Sequence, residues 1–237
     1  MKISLVIPAY NEEKYIGDCL TKVIENSQGK FHEIIVVDNG STDGTKEIVR
    51  KFPKVRLVEE SHKGANAARQ RGFQETTGEL IAFIDADTRP SGNWCRAIGI
   101  EFARDPSLVC LSGPYFYYDL PLVQQWLVKL FFYFLALPAY LLTGYMAIAG
   151  NLIIRRNTLE KMSGFDTSIA FYGDDTDTAR RAHAFGRVKF KPSFVMHTSA
   201  RRFKEEGMFT TGIKYVINFL SIVFAGKPAT KNYQDIR

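Results

Sequence analysis

The first ninety residues alternate between short apolar runs and segments with helical spacing, and this alternation constrains the fold more than any other feature. Each apolar run has the length of a buried strand and ends at a polar or turn-forming residue. A chain that alternates strand and helix forms parallel strands joined by right-handed crossovers. We therefore predict an α/β domain with a mostly parallel sheet flanked by helices, its strands at 3–7, 33–38, 55–58 and 80–84 and its helices at 11–27 and 63–76.

Polar residues follow three of these strands. Tyr10 and Glu12 come shortly after the first strand, which Pro8 closes. Asp38 ends the second strand and Asp85 follows the fourth. Ligands of such sheets lie beyond the carboxyl ends of the strands. The chain has neither G-x-G-x-x-G nor G-x-x-x-x-G-K-[ST], which disfavours Rossmann dehydrogenases and P-loop enzymes.

The segment Asp85-Ala86-Asp87 is the best candidate for a metal site. Two carboxylates one residue apart at a strand end can present oxygens to one cation. Mg²⁺ and Mn²⁺ prefer such oxygens and keep positions for substrate phosphates. A D-x-D pattern also arises by chance, and a second one, Asp175-Thr176-Asp177, opens a predicted helix. The apolar strand before Asp85 favours the first pair.

Four linked motifs occur in the first half: LVIPAYNEE at 5–13, IVVDNGSTDGT at 35–45, KGANAAR at 63–69 and FIDAD at 83–87. In this order and spacing they resemble glycosyltransferase family 2. The similarity resumes with GNLIIRR at 150–156, GFD at 164–166 and GDDTD at 173–177. The resemblance implies the GT-A fold and an inverting enzyme that uses a nucleotide-diphosphate sugar and a divalent metal, Mn²⁺ or Mg²⁺.

The resemblance also assigns binding roles by position. The matched residues would line the base and ribose pocket, lie near the nucleotide or bind the metal. Pro8, Tyr10 and Glu12 would line the base and ribose pocket, Asp38 would hydrogen-bond the base, Lys63 and Arg69 would lie near the nucleotide, Asp85 would lie near the ribose and on the metal with Asp87, and His197 would reach the metal or diphosphate.

These positions also have purely structural interpretations. Pro8 can simply end a strand, and Asp38 can cap the helix that follows it. Lys63 and Arg69 can be solvated helix residues. A single histidine such as His197 is often a packed or hydrogen-bonded side chain.

Sugar transfer needs a general base as well. Negative charge develops on the leaving diphosphate, while the acceptor hydroxyl attacks the opposite face of the sugar and loses a proton. The base therefore comes from a different segment than the metal ligands. Family members usually carry Glu-Asp where this chain has Asp174-Asp175, so the resemblance implies that Asp175 is the base. The alternative is that these acids cap a helix.

Two apolar segments, near 121–142 and 208–226, are predicted to be helices. No charged residue lies between Lys129 and Arg155. The second segment lies in a basic tail, since the chain from Lys191 onward carries eight Lys or Arg against three Asp or Glu. Apolar helices beside basic residues are typical of surfaces that dock on anionic membranes.

The first apolar segment is long enough to span a membrane, but a single span would separate Asp85 from Asp175. We therefore predict that the first helix lies on or dips into the membrane and that the second docks on the same anionic surface, where the site would meet a lipid-linked acceptor. The alternative is that both are core or oligomer-contact helices. A phosphate acceptor needs no base, so an acid at position 175 favours a hydroxyl acceptor.

We expect a single GT-A domain over 1–237, with a nucleotide-binding half (1–90), an acceptor and catalytic half (91–200) and a basic, apolar tail (201–237) that is membrane-associated. Three scattered cysteines are too few for a disulfide framework. The first apolar run is too short for a signal peptide. We therefore expect a cytoplasmic protein at the cytoplasmic face of a membrane.

The functional prediction is a glycosyltransferase that moves a sugar, from a UDP-sugar in preference to other donors, to a saccharide or lipid-linked acceptor. The net charge of +6 comes with no nucleic-acid-binding module, so no nucleic-acid partner is expected. One alternative is a polyprenyl-phosphate glycosyltransferase, and another is a non-catalytic membrane-associated nucleotide-binding scaffold. A sugar-nucleotide nucleotidyltransferase is disfavoured because no glycine-rich basic loop follows the first strand.

Overall fold

The computed structural model describes residues 1–169 and 171–230 of the chain, whose strands and helices alternate through most of its length. The strands are β1 (Ile3–Ala9), β2 (Glu33–Asp38), β3 (Val55–Glu59), β4 (Leu80–Ile84), β5 (Leu108–Ser112), β6 (Tyr115–Tyr117), β7 (Asn151–Arg155), β8 (Arg187–Phe190) and β9 (Met196–Thr198). The helices are α1 (Ile16–Ser27), α2 (Thr45–Val49), α3 (Ala65–Glu75), α4 (Trp94–Arg104), α5 (Leu122–Phe131), α6 (Leu137–Thr143), α7 (Arg156–Lys161), α8 (Asp174–His183), α9 (Arg201–Glu206) and α10 (Met208–Ala225), and the π-helical segment Phe132–Ala136 joins α5 to α6.

Seven strands form the central sheet in the order β3-β2-β1-β4-β7-β5-β8. Neighbouring strands are parallel except at β7, which runs antiparallel to both β4 and β5. β6 and β9 form a separate parallel pair. The prediction of a mostly parallel sheet flanked by helices is confirmed.

Apolar side chains cover both faces of this sheet, which explains the unbroken apolar runs of its strands. On one face, Leu5 and Ile7 pack with Leu20 of α1 and Trp94 of α4. The opposite face buries Val6 and Phe83 among side chains of α3 and α8. Full burial of such a side chain contributes about 1.5–3 kcal/mol relative to exposure, so the central strands are held from both sides.

The first strand continues through Pro8, where the sequence predicted its end. The carbonyls of Ile3 and Ala9 accept hydrogen bonds from N–H groups on the β2 side. Residues of a parallel strand face its two neighbours alternately, so Pro8 faces β4. The pairing of β1 with β4 ends at Val6, and a missing N–H at Pro8 therefore breaks no ladder bond.

The helix predicted over 11–27 begins only at Ile16. The backbone N–H groups of residues 11–13 donate instead to side chains of the loop after β2: to Ser41 Oγ at 2.9 Å, Thr45 Oγ1 at 2.8 Å and Asp43 Oδ2 at 3.0 Å. This segment is therefore a loop tied to its neighbour, at the edge of the sheet where ligands are expected. Asp43 also accepts the N–H of Thr45 through its Oδ1 at 3.0 Å, so its carboxylate serves this local structure.

The two predicted apolar helices are present, as α5 to α6 and as α10. Each is long and apolar enough to cross a membrane by length and composition. Among the described residues, all the large exposed hydrophobic side chains except Met1, Ile100 and Phe185 lie on these helices. The tail predicted over 201–237 is described as far as residue 230, and residues 231–237 lie outside the described part.

Candidate active site

The D-x-D pair lies at the end of β4, as predicted, and each carboxylate has defined partners. Asp85 Oδ2 accepts a hydrogen bond from the Tyr115 hydroxyl at 2.9 Å, and its side chain is 37% exposed. Asp87 is buried, and its Oδ1 accepts a hydrogen bond from Thr198 at 3.2 Å. The turn between them is fixed because the Asp85 carbonyl accepts the N–H and hydroxyl of Thr88. Two carboxylates are thus held near the carboxyl edge of the sheet.

Gly150 makes close packing possible beside this pair. A Cβ atom at this position would lie 2.1 Å from the Tyr115 hydroxyl and 2.2 Å from Asp85 Oδ2. No larger residue fits there without moving both side chains. The next residue, Asn151, starts β7 and accepts a hydrogen bond from the Trp94 indole at 3.0 Å. Gly150 therefore leaves room for the hydrogen bond between Tyr115 and the Asp85 carboxylate.

A buried arginine joins the two acidic segments that the sequence predicted to share one site. Arg69 Nη1 lies 2.5 Å from Asp174 Oδ2, and Nη2 lies 3.5 Å from Asp85 Oδ1. Its side chain is 5% exposed, so the interpretation of Arg69 as a solvated helix residue is wrong. Because one guanidinium contacts both carboxylates, the D-x-D pair and the start of α8 lie in one site.

Asp175 lies at the start of α8, next to this ion cluster. The preceding Gly173 has a φ of +87°, which favours glycine. Burial, and next the charge of Asp174, raises the pKa of Asp175 to about 7. Its Oδ1 accepts the N–H of Thr176 at 2.7 Å, but the capping position of α8 itself belongs to Gly173. A carboxyl that titrates near neutral pH has the properties of a general base.

Asp38 is fully buried at the end of β2, and only one of its oxygens is satisfied within the described part of the chain. Oδ2 accepts the N–H groups of Gly40 and Ser41, each at 3.1 Å. Oδ1 is buried with no hydrogen-bond partner among the described residues. A buried carboxylate oxygen without a donor is costly, and a ligand N–H would satisfy it. Asp38 does not cap the next helix directly, since Gly44 occupies that position.

Lys63 closes the loop that follows Asp38. Its Nζ donates to the carbonyls of Asn39 at 3.1 Å and Gly40 at 3.2 Å. The same ammonium lies 3.7 Å from the centre of the Tyr10 ring, a cation–π contact. Lys63, Tyr10 and Asp38 therefore border one region at the carboxyl edge of β1 and β2, as the predicted nucleotide pocket requires. Pro8 lies in β1 at this same edge.

Glu12 and Asp87 share an arginine from the far end of the chain. Arg201 Nη1 and Nη2 contact the two Glu12 carboxylate oxygens at 2.7 and 2.5 Å, and its Nε lies 2.9 Å from Asp87 Oδ2. Charge-assisted bidentate pairs of this kind are the strongest hydrogen bonds available to side chains. Arg201 is therefore part of the site, and its positive charge faces both carboxylates.

His197 lies in β9, immediately before Thr198, the residue that contacts Asp87. Its ring packs edge-to-face on Phe116 with centroids 5.2 Å apart, and its carbonyl accepts the Arg89 N–H at 2.8 Å. Within residues 1–169 and 171–230, no group of three His, Cys, Asp or Glu side chains is assembled that could hold a metal. The structure brings Asp85 and Asp87 to one edge but does not gather them with His197, whose metal role stays a prediction.

Two residues of the site, Tyr115 and Arg201, lie outside the motifs that predicted the others. Tyr115 lies in an aromatic segment that carries no charge to mark it, yet its hydroxyl contacts Asp85. Arg201 is one of eight Lys or Arg residues of the basic tail, and the sequence does not distinguish it from the adjacent Arg202. Only a three-dimensional arrangement identifies both.

Comparisons with known proteins identify the family. Residues 4–163 match the family described as Glycosyl transferase family 2. Glycosyltransferase AglE of Haloferax volcanii is 41% identical over 98 residues, which are 39% of this chain and 32% of that protein. A dolichol-phosphate mannosyltransferase of Pyrococcus furiosus is 35% identical over 91 residues, which are 37% of this chain and 26% of that protein. The matches span about a third or less of the length of these relatives.

Solved structures give the same result for the fold. The mannosyltransferase PcManGT from Pyrobaculum calidifontis, in complex with GDP-Man and Mn²⁺, has a TM-score of 0.65 and 25% identity, covering 84% of this chain and 56% of that one. Glucosyl-3-phosphoglycerate synthase from Mycobacterium tuberculosis, in complex with Mn²⁺, UDP and phosphoglyceric acid, has a TM-score of 0.68 and 19% identity, covering 97% and 80%. The predicted GT-A fold is confirmed. Since the family match covers more than half of its length, the chain belongs to glycosyltransferase family 2.

Proposed function

We propose that this chain is an inverting glycosyltransferase that moves a sugar from a nucleotide-diphosphate donor, preferentially a UDP-sugar, to a hydroxyl of a saccharide or lipid-linked acceptor. The observation that carries the proposal is the contact of Arg69 with both Asp174 and Asp85. This contact puts a candidate base and a candidate metal-binding pair in one site. The relatives named above, and the nucleotides in the two solved structures, support the donor class.

The donor would bind at the edge of β1, β2 and β4. Asp38 Oδ1, the buried oxygen without a partner among the described residues, suits a base N–H such as the imide of uracil. Tyr10, Glu12 and Pro8 would border the base and ribose. Lys63 and Arg201 would place positive charge near the diphosphate.

Asp85 and Asp87 fit a divalent cation by their chemistry. Both offer carboxylate oxygens, and Asp87 is oriented by Thr198. Mn²⁺ and Mg²⁺ prefer such ligands and retain positions for phosphate oxygens. A cation bound there would stabilise the negative charge that develops on the leaving diphosphate. Both solved structures named above are complexes that contain Mn²⁺, which supports this assignment.

Asp175 would take the proton of the acceptor hydroxyl. Its pKa, raised to about 7, lets it bind that proton readily while remaining substantially ionised near neutral pH. Arg69 holds the neighbouring Asp174 and would keep this acid from competing for the same position. A polyprenyl-phosphate acceptor would already be ionised and would need no such base. An acid at this position, in the same site as Asp85, therefore favours the hydroxyl acceptor over that alternative.

The exposed apolar surface of α5, α6 and α10 supports contact with a membrane. Phe132 and Tyr140 pack on Phe190 of β8, while the outer side of the helices remains exposed. Because Asp85 and Asp174 share Arg69, a span through the bilayer between them is disfavoured, and we propose that the helices lie on its cytoplasmic face. The three cysteines are free and buried, as in proteins of a reducing compartment.

Calorimetry with a panel of nucleoside diphosphates, with and without Mn²⁺, tests the proposal. We expect metal-dependent binding of one nucleotide that is lost in Asp87→Ala. Asp175→Asn should retain this binding within about twofold but lose turnover, because it removes only the base. Absence of binding to every nucleotide in the presence of metal would overturn the proposal in favour of a scaffold. Activity in Asp175→Asn would assign the base elsewhere or favour a phosphate acceptor.

A further inference from the structure

A groove of about 370 Å³ lies between α5, the π-helical segment and β6, beside the candidate active site. Val128, Lys129 and Phe132 line the helical side. Tyr115 lines the opposite side. The volume lies within the range of pockets that hold small ligands, and nothing in the function derived so far uses this space.

The groove is continuous with the site through one side chain. Tyr115 borders the groove, and its hydroxyl donates a hydrogen bond to Asp85 Oδ2 at 2.9 Å. A molecule in the groove therefore lies one tyrosine away from the carboxylate proposed to bind the metal. An acceptor can occupy the groove with one part and present another part to the donor.

The lining chemistry identifies the kind of molecule. Most of the described lining residues are aromatic or aliphatic, and Lys129 is the only charged one among them. A saccharide is held best by several amide or charged side chains that bond its hydroxyls, and in this lining they are limited to Gln125 and Lys129. A hydrocarbon chain instead gains from leaving water. The single ammonium group favours a chain that carries an anionic group.

The groove also opens to the exposed apolar surface described above. Trp126 lines the groove yet is 63% exposed, so it lies at the mouth. Phe219 of α10 packs in the same small apolar cluster as Phe132 and Phe190. The two apolar helices therefore form neighbouring parts of one surface, from which a lipid chain could enter directly.

We propose that this groove binds the hydrocarbon chain of a lipid-linked acceptor, with Lys129 beside the phosphate that joins chain and saccharide. This inference rests on the proposed function and names the acceptor class for the same site. The chain in the groove would hold the saccharide near Asp85 and Asp175. Specificity for the acceptor would then come from the groove as well as from contacts with the sugar.

The two tryptophans of the chain provide a direct probe. Trp126 lies at the groove mouth, whereas Trp94 is buried in the core. We expect farnesyl phosphate, used below its aggregation concentration, to cause a saturable change in tryptophan fluorescence that disappears in Trp126→Phe. Val128→Phe, which fills the groove, should weaken binding at least tenfold. Val123→Phe is the matched control, because Val123 is 73% exposed on the same helix and does not line the groove.

The phosphate contact has its own test. Lys129→Gln should weaken binding of farnesyl phosphate but leave binding of farnesol unchanged, and inorganic phosphate alone should cause no fluorescence change. Equal weakening by Val128→Phe and Val123→Phe, or no saturable change in the wild type, would overturn the groove assignment. Equal loss of farnesol and farnesyl phosphate in Lys129→Gln would overturn the phosphate contact.

Nucleotide binding separates this inference from the proposed function. Val128→Phe should bind the nucleoside diphosphate and Mn²⁺ as the wild type does, which also shows that the variant folds. If nucleotide binds but farnesyl phosphate does not, the groove assignment alone is wrong. If farnesyl phosphate binds at the groove but no nucleotide binds, the proposed transferase function is wrong while the groove assignment is supported.

Discussion

Arg69 is the position where a single substitution tests most of the site's architecture. Its guanidinium is almost fully buried between Asp174, at 2.5 Å, and Asp85, at 3.5 Å. Arg69→Met keeps an unbranched apolar side chain but removes the charge. Removal of one partner from a buried ion pair costs about 3–5 kcal/mol, because the remaining charge stays buried. Since each kcal/mol lowers Tm by about 2–4 °C in a chain of this size, we expect a decrease of about 6–20 °C.

Arg71→Met is the matched control, with the same substitution two residues along α3. Arg71 pairs with Glu75 at 2.8 Å, but its side chain is 41% exposed. Exposed pairs contribute about 0–1 kcal/mol, so Tm should fall by at most about 4 °C. Thermal unfolding followed by circular dichroism at pH 7.5 compares the two variants. Equal decreases in Tm would refute the conclusion that the buried cluster is held by Arg69.

The effect of Arg69→Met should also depend on pH, in a direction that the structure defines. Burial raises the pKa of Asp174, and Arg69 opposes that rise. Without Arg69 the folded-state pKa lies further above the unfolded value, so the folded state binds more protons and stability falls as pH rises between the two values. The difference in Tm between variant and wild type should therefore be smallest at about pH 4, near the unfolded-state pKa, and largest above neutral pH. A pH-independent difference would attribute the loss to packing rather than to charge.

Two further predictions concern the chemistry and the shape of the site. Because the pKa of Asp175 is raised to about 7, kcat/KM should increase with pH through that value. Asp175→Asn should remove this increase and lower turnover about 10²–10⁴-fold. The same pH profile in the variant would mean that another group is titrating. Gly150→Ala, whose Cβ would lie 2.2 Å from Asp85 Oδ2, should abolish metal-dependent nucleotide binding in calorimetry. Gly99→Ala is the control and should keep this binding, because a Cβ atom there would meet no atom within 4 Å outside its own helix. Full binding by Gly150→Ala would contradict the close packing of Asp85.

The four strands of the first ninety residues could be predicted well from the sequence because burial marks them directly. Glu33–Asp38 and Leu80–Ile84 agree with the prediction at both ends. Each is an apolar run buried on both faces and followed by a polar residue at the ligand edge. The end of β1 was missed, since a proline usually ends a strand and only the limited pairing with β4 permits Pro8 there.

The contacts of the site were less predictable because they join distant parts of the chain. Glu12 and Arg201 are 189 residues apart in sequence, and no local pattern links them. The motifs predict Asp85 and Asp175 as site residues, but not the shared contacts of Arg69 that bring their segments together. Residue types can thus be assigned from motifs, whereas counter-ion pairing depends on how the sheet and the tail meet.

The short helix α9 shows why the tail belongs to the site. Arg201 at its start contacts Glu12 and Asp87, and Glu206 at its end accepts a hydrogen bond from the Tyr172 hydroxyl at 2.8 Å, just before Gly173 and the acids of α8. α10 follows directly and carries part of the exposed apolar surface. Both acidic segments therefore contact or adjoin residues held by α9, which leads directly into the exposed apolar helix α10. Loss of this tail would take away the guanidinium that Glu12 and Asp87 share, so the tail is a structural component of the site.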